Sequence, residues 1–331
     1  MSPPSEKHRR YRDPRKVQRR QDFKTLCAIL ERLEKRRSRP VFGTAEELDD
    51  LLVVCGAPFN IDDEDPIDVE PRYFRPGPVD KMNQGLQAEG EEMPQLDVIE
   101  AHKLGEQESA RLDRFAYDAL GDAWRRGEYC ESAAWTSTYW QRHRYVKERN
   151  QPGGCEGPYD GRFAPYYHYF TGASYRMWPR GEEPKNWIYH PDVPHAIGTV
   201  YDCMCPRDGS ILRSELLFAV SLLKASVRDA NMFIDHQVCP ILIGSFHGRF
   251  SARIMQAYLQ NGRMVVRPSR LLNFHTRVAS YDVKLMIRWL NCSPVGDTRW
   301  ASFDLSLPKD RGATEVEFDR DNPPTHAISV L

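Results

Sequence analysis

The dipeptide Asn261-Gly262 constrains the fold of this chain more than any other short segment. It separates two segments suited to strands, residues 252–259 and 263–267. Both central positions of a type I′ turn need a positive φ, which Asn and Gly tolerate, so the pattern predicts a β-hairpin. We expect this hairpin to be the structural centre of a C-terminal domain.

Segments with clear periodicity surround the predicted hairpin. A helix is expected from the cap residue Ser210 to about residue 232, and the apolar, β-branched run 238–246 predicts a buried strand. Apolar residues at helical spacing predict a second helix that starts near Ser280, and residues 301–307 suit a last strand. The resulting order, α-β-β-β-α-β over residues 207–310, places the chain in the α+β class.

The alternation of side chains in the hairpin predicts which residues face the flanking helices. The apolar residues expected on that face are Ile254, Met264 and Val266. The arginines expected to reach water are Arg253, Arg263 and Arg267. With Arg249 and Arg270 nearby, this positive surface can meet nucleic acid, meet an acidic partner such as the chain's own residues 61–70, or protect a sheet edge.

The first part of the chain is a basic block followed by an acidic one, although the net charge of all 331 residues is −1. Residues 1–40 hold 14 Lys or Arg against 5 Asp or Glu. Apolar residues at helical spacing predict an amphipathic helix over about 16–37, and Thr44 and Glu47 have the spacing of a capping box for a helix over 45–54. These helices are expected to form a charged, helical N-terminal extension over residues 1–56.

A dense basic run lies at the start of this block. Its clustered cations are Arg9, Arg10, Arg15, Lys16, Arg19 and Arg20. Such a run contacts the phosphates of nucleic acid, is read as a nuclear import signal, or remains a solvated, disordered tail. The sequence leaves these alternatives open.

Proline and charge predict where ordered structure stops. Residues 57–97 contain six prolines and the acidic run 62–65, which favour a loose acidic linker before a compact unit over 98–310. Residues 1–15 and 57–95 are expected to be poorly ordered because they hold too little apolar surface to offset the cost of ordering the backbone. Residues 311–331 are expected to be a C-terminal tail.

The compact unit is predicted to begin with a helical part over 98–150, with helices over 98–124 and 133–147. An aromatic and proline-rich part over 151–206 follows, and its proline density argues against long regular elements. Its aromatic residues either pack a loop-rich layer against a sheet or form a base-stacking or carbohydrate surface.

Two groups of residues have the chemistry of a site. The candidate zinc ligands, four soft donors in a short segment, are His190, His195, Cys203 and Cys205. The alternative interpretation is that these are ordinary thiols and histidines, so no cofactor is predicted. Ser245 and His247 share one face of a predicted strand, as a Ser/His hydrolase needs, but the order of a nucleophile elbow is absent.

Residues 201–300 resemble a family of uncharacterised proteins from filamentous fungi, in segments such as 201–204, 240–248 and 252–258. The order α-β-β-β-α-β is also similar to the core of the restriction-endonuclease-like PD-(D/E)XK family. That similarity implies acids and a lysine around Mg²⁺. The residues available for these roles are Glu215, Asp282 and Lys284, whereas the second and third strands lack the family's acids.

These observations favour a function without catalysis. The first thirty residues lack the apolar stretch of a signal peptide, so the eight cysteines are expected to be thiols of a protein of the nucleus or cytoplasm, not a secreted or membrane protein. We expect a non-enzymatic intracellular interaction protein with a protein partner, or with nucleic acid bound through the basic run. The alternative is a metal-dependent, nuclease-like hydrolase.

Overall fold

The computed structural model describes residues 13–64, 70–93, 122–134, 140–149, 169–177, 193–207, 209–228 and 233–300. For residues 140–149 and 169–177 it describes the backbone only. The predictions for residues 1–12, 94–121, 301–307 and 311–331, and for most of 151–192, lie outside these ranges.

The described part of the chain combines helices and strands, which confirms the α+β class. The helices are α1 (Pro14–Lys35), α2 (Ala45–Asp49), α3 (Val79–Glu89), α4 (122–134), α5 (Arg213–Val227) and α6 (Tyr281–Leu290). The first six strands are β1 (Val41–Phe42), β2 (Val53–Cys55), β3 (Phe74–Arg75), β4 (Trp140–Arg149), β5 (Tyr169–Met177) and β6 (Ala196–Asp202). The others are β7 (Ile211–Leu212), β8 (Ile241–His247), β9 (Ser251–Gln260), β10 (Arg263–Pro268), β11 (Leu272–Asn273) and β12 (Ser293–Pro294).

Most strands belong to one mixed sheet, in the order β2-β10-β9-β8-β6-β5-β4, with β11 paired to β9. β6 and β8 are parallel, and α5 is the helix of the crossover between them. β8, β9 and β10 follow one another antiparallel, and β2 extends the edge parallel to β10. The carboxyl ends of β6 and β8 therefore lie side by side, at the level where α5 begins.

Helices cover both faces of this sheet. On the α5 face, α1, α2 and α5 pack on strand residues such as Val200 and Met255. On the α6 face, α3, α4 and α6 pack on strand residues such as Leu242 and Ile254. Because side chains alternate along each strand, the strands between these layers are buried on both sides.

The hairpin predicted around Asn261-Gly262 is confirmed. Asn261 (φ 51°) and Gly262 (φ 73°) form its turn, and β9 pairs antiparallel with β10 on either side. The helix predicted near Ser280 is confirmed as α6, with the Ser280 hydroxyl accepting from the backbone N–H of Val283. The hairpin lies between α5 and α6, as expected.

The predicted faces of the hairpin are wrong. Ile254 lies on the α6 face, whereas Met264 and Val266 lie on the α5 face. Arg253 and Arg267 do not reach water, since they are only 3% and 0% exposed. The prediction assumed helices on one face of the sheet, but helices cover both, so both sets of alternating side chains are buried.

Two helices differ from their predicted bounds because neighbouring residues pair as strands. α5 begins at Arg213 rather than after Ser210, since residues 211–212 pair with β1, and it ends at Val227. α2 has the predicted capping box of Thr44 and Glu47 but ends at Asp49, since β2 joins the large sheet.

Two long strands lie where other structure was predicted. The helix predicted over 133–147 is wrong in its second half, because β4 covers Trp140–Arg149. The aromatic and proline-rich part contains β5, which is nine residues long. Proline counts misled the prediction because none of those prolines falls between Pro165 and Pro179, which leaves an uninterrupted segment for the strand.

The loose linker predicted over 57–97 differs from the structure in the residues that are described. Phe59, Ile61 and Phe74 are each at most 1% exposed and belong to the core of the α6 face, and α3 adds Met82 and Leu86 to it. The apolar residues between the prolines are too dispersed to show periodicity, yet they pack against α6. A domain boundary before residue 98 is therefore wrong, because this segment and α1 contribute to the cores on the two faces of one sheet.

Gly262→Val tests the role of the turn. A β-branched residue at a φ of 73° strains the backbone, so we expect the free energy of unfolding to fall by about 1–3 kcal/mol. No atom outside the adjacent residues lies within 4 Å of the added Cβ, so the Cβ meets no tertiary contact. The measurement is equilibrium denaturation.

Gly43→Val is the matched control. Its Cβ also meets nothing within 4 Å, and Gly43 does not have a positive φ. We expect it to change stability by less than about 0.5 kcal/mol. Equal effects of the two substitutions would show that the turn does not set the register.

Candidate functional site

A buried cluster of polar side chains lies where β6 and β8 end, on the α5 face. Glu215 comes from the first turn of α5, His247 ends β8 and Arg253 lies opposite Ser245 on β9. Glu215 Oε1 accepts from Arg253 Nε at 2.7 Å and lies 3.1 Å from His247 Nε2. A second hydrogen bond joins Arg253 Nη2 to Glu215 Oε2, which makes the pair bidentate. Ser245 Oγ lies 2.6 Å from His247 Nε2.

Backbone groups complete this cluster. The Leu212 N–H donates to Glu215 Oε2 at 2.8 Å, and Arg253 Nη1 donates to the Ser210 carbonyl at 2.9 Å. Next to them, the Ser214 hydroxyl donates to Asp202, which also accepts from the Met204 N–H at 2.8 Å. The crossover helix is thus held to the sheet by hydrogen bonds from both of the strands that it connects.

The cluster is closed and internally neutralised. Glu215, Ser245 and His247 are at most 1% exposed, and Arg253 is 3% exposed. Burial alone raises the pKa of Glu215, but the charge and hydrogen bonds of Arg253 and His247 outweigh it and hold the pKa well below its usual range. Glu215 is therefore a buried carboxylate whose charge is matched by a buried guanidinium.

Its geometry is not that of a Ser/His/acid triad. In such a triad the serine and the carboxylate use different ring nitrogens of the histidine. Here Ser245 and Glu215 both lie against Nε2, while no described residue forms a hydrogen bond with the buried Nδ1. The arrangement is suited to joining helix and sheet, not to activating the Ser245 hydroxyl.

The residues predicted from the endonuclease similarity are not brought together. Glu215 lies on the α5 face, whereas Asp282 begins α6 on the other side of the sheet. Asp282 accepts from Arg270 and from the Asn273 N–H, both at 2.8 Å. Lys284 follows Asp282 on α6 and is partly exposed. These three residues do not share a site.

The candidate zinc ligands do not form a described metal site. His190 lies outside the described residues, and His195 Nε2 lies 3.2 Å from the Val295 carbonyl with its ring against Phe74. Cys203 and Cys205 follow β6, where they are partly exposed and exposed. Within the described ranges, no group of three His, Cys, Asp or Glu residues is placed to hold a metal ion.

The arginines around the hairpin all have carboxylate partners in the chain. The pairs are Arg249–Asp122, Arg253–Glu215, Arg263–Asp49, Arg267–Glu70 and Arg270–Asp62. Of the alternatives left by the sequence, the structure thus shows pairing with residues 61–70 for Arg267 and Arg270. This surface carries little unmatched positive charge.

The N-terminal basic run divides into residues with different roles. Arg9 and Arg10 lie outside the described residues. Arg15 pairs with Asp13 and Asp235, and Arg19, 1% exposed, donates to the carbonyls of Phe233 and His236. Lys16 is partly exposed and Arg20 is exposed.

Exposed and partly exposed cations of α1 lie next to others at the end of α5. We call the set of Lys16, Arg20, Lys24, Lys224 and Arg228 the basic face. The two helices are antiparallel, since Lys224 Nζ lies 5.5 Å from the centre of the Phe23 ring and Arg213 Nε donates to the Leu33 carbonyl. This register places Arg228 at the level of Arg20. Within the part of the chain that is described, none of the five forms an ion pair.

Sequence reasoning singled out Ser245, His247 and Glu215 under separate hypotheses and expected Arg253 to reach water. Strand register would have placed these residues together, because Ser245 lies opposite Arg253 and so shares its face of the sheet. The basic face was missed because Lys224 and Arg228 lie two hundred residues from α1 in sequence.

No protein-family model, curated protein or solved structure gives a significant match to the chain. The resemblances to the fungal family and to the PD-(D/E)XK core therefore stay predictions. Among the described residues, no disulfide joins any cysteine, and no helix is long and apolar enough to span a membrane.

Glu215→Gln tests the charge cluster. It leaves the buried Arg253 without a charge partner, so we expect the free energy of unfolding to fall by about 3–5 kcal/mol. Glu31→Gln, which breaks an exposed ion pair with Lys35, is the control and should cost less than about 0.5 kcal/mol. Denaturation of both variants is the measurement. A nearly neutral Glu215→Gln would contradict a structural role for the pair.

The pH dependence of stability gives a second test. Because the pKa of Glu215 is lower in the folded chain than its usual value of 4.5, the unfolded chain binds a proton first as the pH falls. The stabilisation is complete above that usual value and is lost as the pH falls below it. We expect the stability difference between the natural chain and Glu215→Gln to shrink between about pH 5 and pH 3. A constant difference over this range would contradict the depressed pKa.

Proposed function

We propose that this chain is a non-enzymatic interaction protein whose basic face binds an acidic macromolecule. The observation that carries this proposal is the contrast between two sets of cations. All five arginines around the hairpin form ion pairs with carboxylates, whereas none of the five cations of the basic face forms an ion pair within the described residues.

Unmatched like charges on neighbouring helices are unfavourable for folding. Lys16, Arg20 and Lys24 follow one another at four-residue spacing on α1, where like charges repel. Lys224 and Arg228 have the same spacing at the end of α5. Such a surface produces a local positive potential that attracts an oppositely charged partner.

The closed cluster around Glu215 supports a function without catalysis. Its serine, histidine and carboxylate are buried and are hydrogen-bonded to one another or to Arg253. The alternative of a metal-dependent nuclease gains no support, because Glu215 and Asp282 lie on opposite faces of the sheet. The proposed location is the nucleus or cytoplasm, since residues 9–20 have the composition of a nuclear import signal.

Heparin, a general polyanion, is the probe for this function. We expect the full chain to be retained on heparin at about 50 mM salt and released by about 200 mM, as for binding through several ionic contacts. The triple variant Arg20→Gln, Lys24→Gln and Arg228→Gln should elute at clearly lower salt because it removes three cations of the basic face.

The matched control removes three exposed cations elsewhere: Lys81→Gln, Arg207→Gln and Arg277→Gln. Both triples change the net charge equally, so a difference between them reports position rather than total charge. Equal elution of the two triples, or no retention of the natural chain, would contradict the proposed function.

A further inference from the structure

We infer that the acidic macromolecule is a nucleic acid, held by its phosphate backbone across α1 and α5. This inference rests on the proposed function and names the partner class for the basic face.

The spacing of the cations suits a regular row of negative charges. Lys16, Arg20 and Lys24 are four residues apart, and a rise of about 1.5 Å per residue separates them by about 6 Å along the axis of α1. Lys224 and Arg228 repeat this spacing on α5. The two helices therefore present two adjacent rows of long, exposed or partly exposed cations, which are suited to contacts with backbone phosphates.

The face lacks a fully exposed aromatic residue. Protein interfaces draw most of their binding energy from a few residues that become buried at the centre of the interface, and aromatic residues are enriched among them. The aromatic residue between the two rows, Phe23, is only partly exposed and lies beneath the Lys224 ammonium. Val17 is exposed on α1, but its side chain is small. Long cations without an apolar centre favour salt-dependent binding that does not read sequence.

The acids of the opposite face of the sheet are paired with arginines of that face. The acidic segment that precedes α3 lies on the α6 face, where Asp62 pairs with Arg270, Glu64 with Arg288 and Glu70 with Arg267. The basic face lies on the opposite layer. In sequence, the residues just before α1 add Lys7, Arg9, Arg10 and Arg12.

Fluorescence anisotropy with labelled 20-base-pair DNA duplexes tests the inference, using the full chain at several salt concentrations. We expect two duplexes of unrelated sequence to bind equally, with affinity that falls as salt rises. The triple variant of Arg20, Lys24 and Arg228 should bind at least about tenfold more weakly at low salt, and its salt slope should fall by about 1 for each phosphate contact removed. The triple variant of Lys81, Arg207 and Arg277 should bind like the natural chain.

The competing partners are tested in parallel. Polyglutamate of matched total charge and vesicles containing phosphatidylserine are measured under the same conditions, and circular dichroism verifies that each variant is folded. Binding of either as tight as that of the duplex would overturn the nucleic-acid inference but leave the proposed function intact. Absence of binding to any polyanion, heparin included, would overturn both. A strong preference for one duplex sequence, or equal losses in the two triples, would overturn backbone recognition by the basic face.

Discussion

The buried ion pair between Glu215 and Arg253 is the interaction on which the arrangement of this molecule depends. It joins the first turn of α5 to β9. β9 is the neighbour of β8, and α5 connects β6 to β8. Removing a carboxylate and a guanidinium from water is costly, and here the cost is offset by a bidentate contact and by backbone partners for both groups. Because α1 rests on α5, the position of the whole outer helical layer follows from this pair.

Local features of the sequence were sufficient for some elements and insufficient for others. Asn261-Gly262 and the spacing after Ser280 identify the hairpin and α6, because turn chemistry and helix periodicity act over a few residues. The packing of Phe59 and Phe74 could not be predicted in this way, since their burial depends on α6, more than two hundred residues away. Proline density indicated a linker where tertiary contacts hold an irregular but buried segment.

For charged residues of the candidate sites too, local sequence features do not predict the environment of the side chain. Arg19 and Arg20 are equivalent in a count of charges. In the structure, however, Arg19 donates to two buried carbonyls while Arg20 is exposed. Similarly, the sequence placed Arg253 in water because it assumed one covered face. A charge count identifies how many cations a segment holds, but only packing decides which of them remain available to a partner.

Two buried arginines also help to position α1, one against the segment that follows α5 and one against α5 itself. Arg19 reaches from α1 to the carbonyls of Phe233 and His236, and Arg213 reaches from α5 to the carbonyl of Leu33 near the other end of α1. Apolar contacts alone allow a helix to slide or roll along its neighbour, whereas directional bonds such as these oppose both motions. The two rows of cations consequently keep a fixed position relative to each other, so that a ligand of the proposed kind would order side chains and cost little backbone entropy.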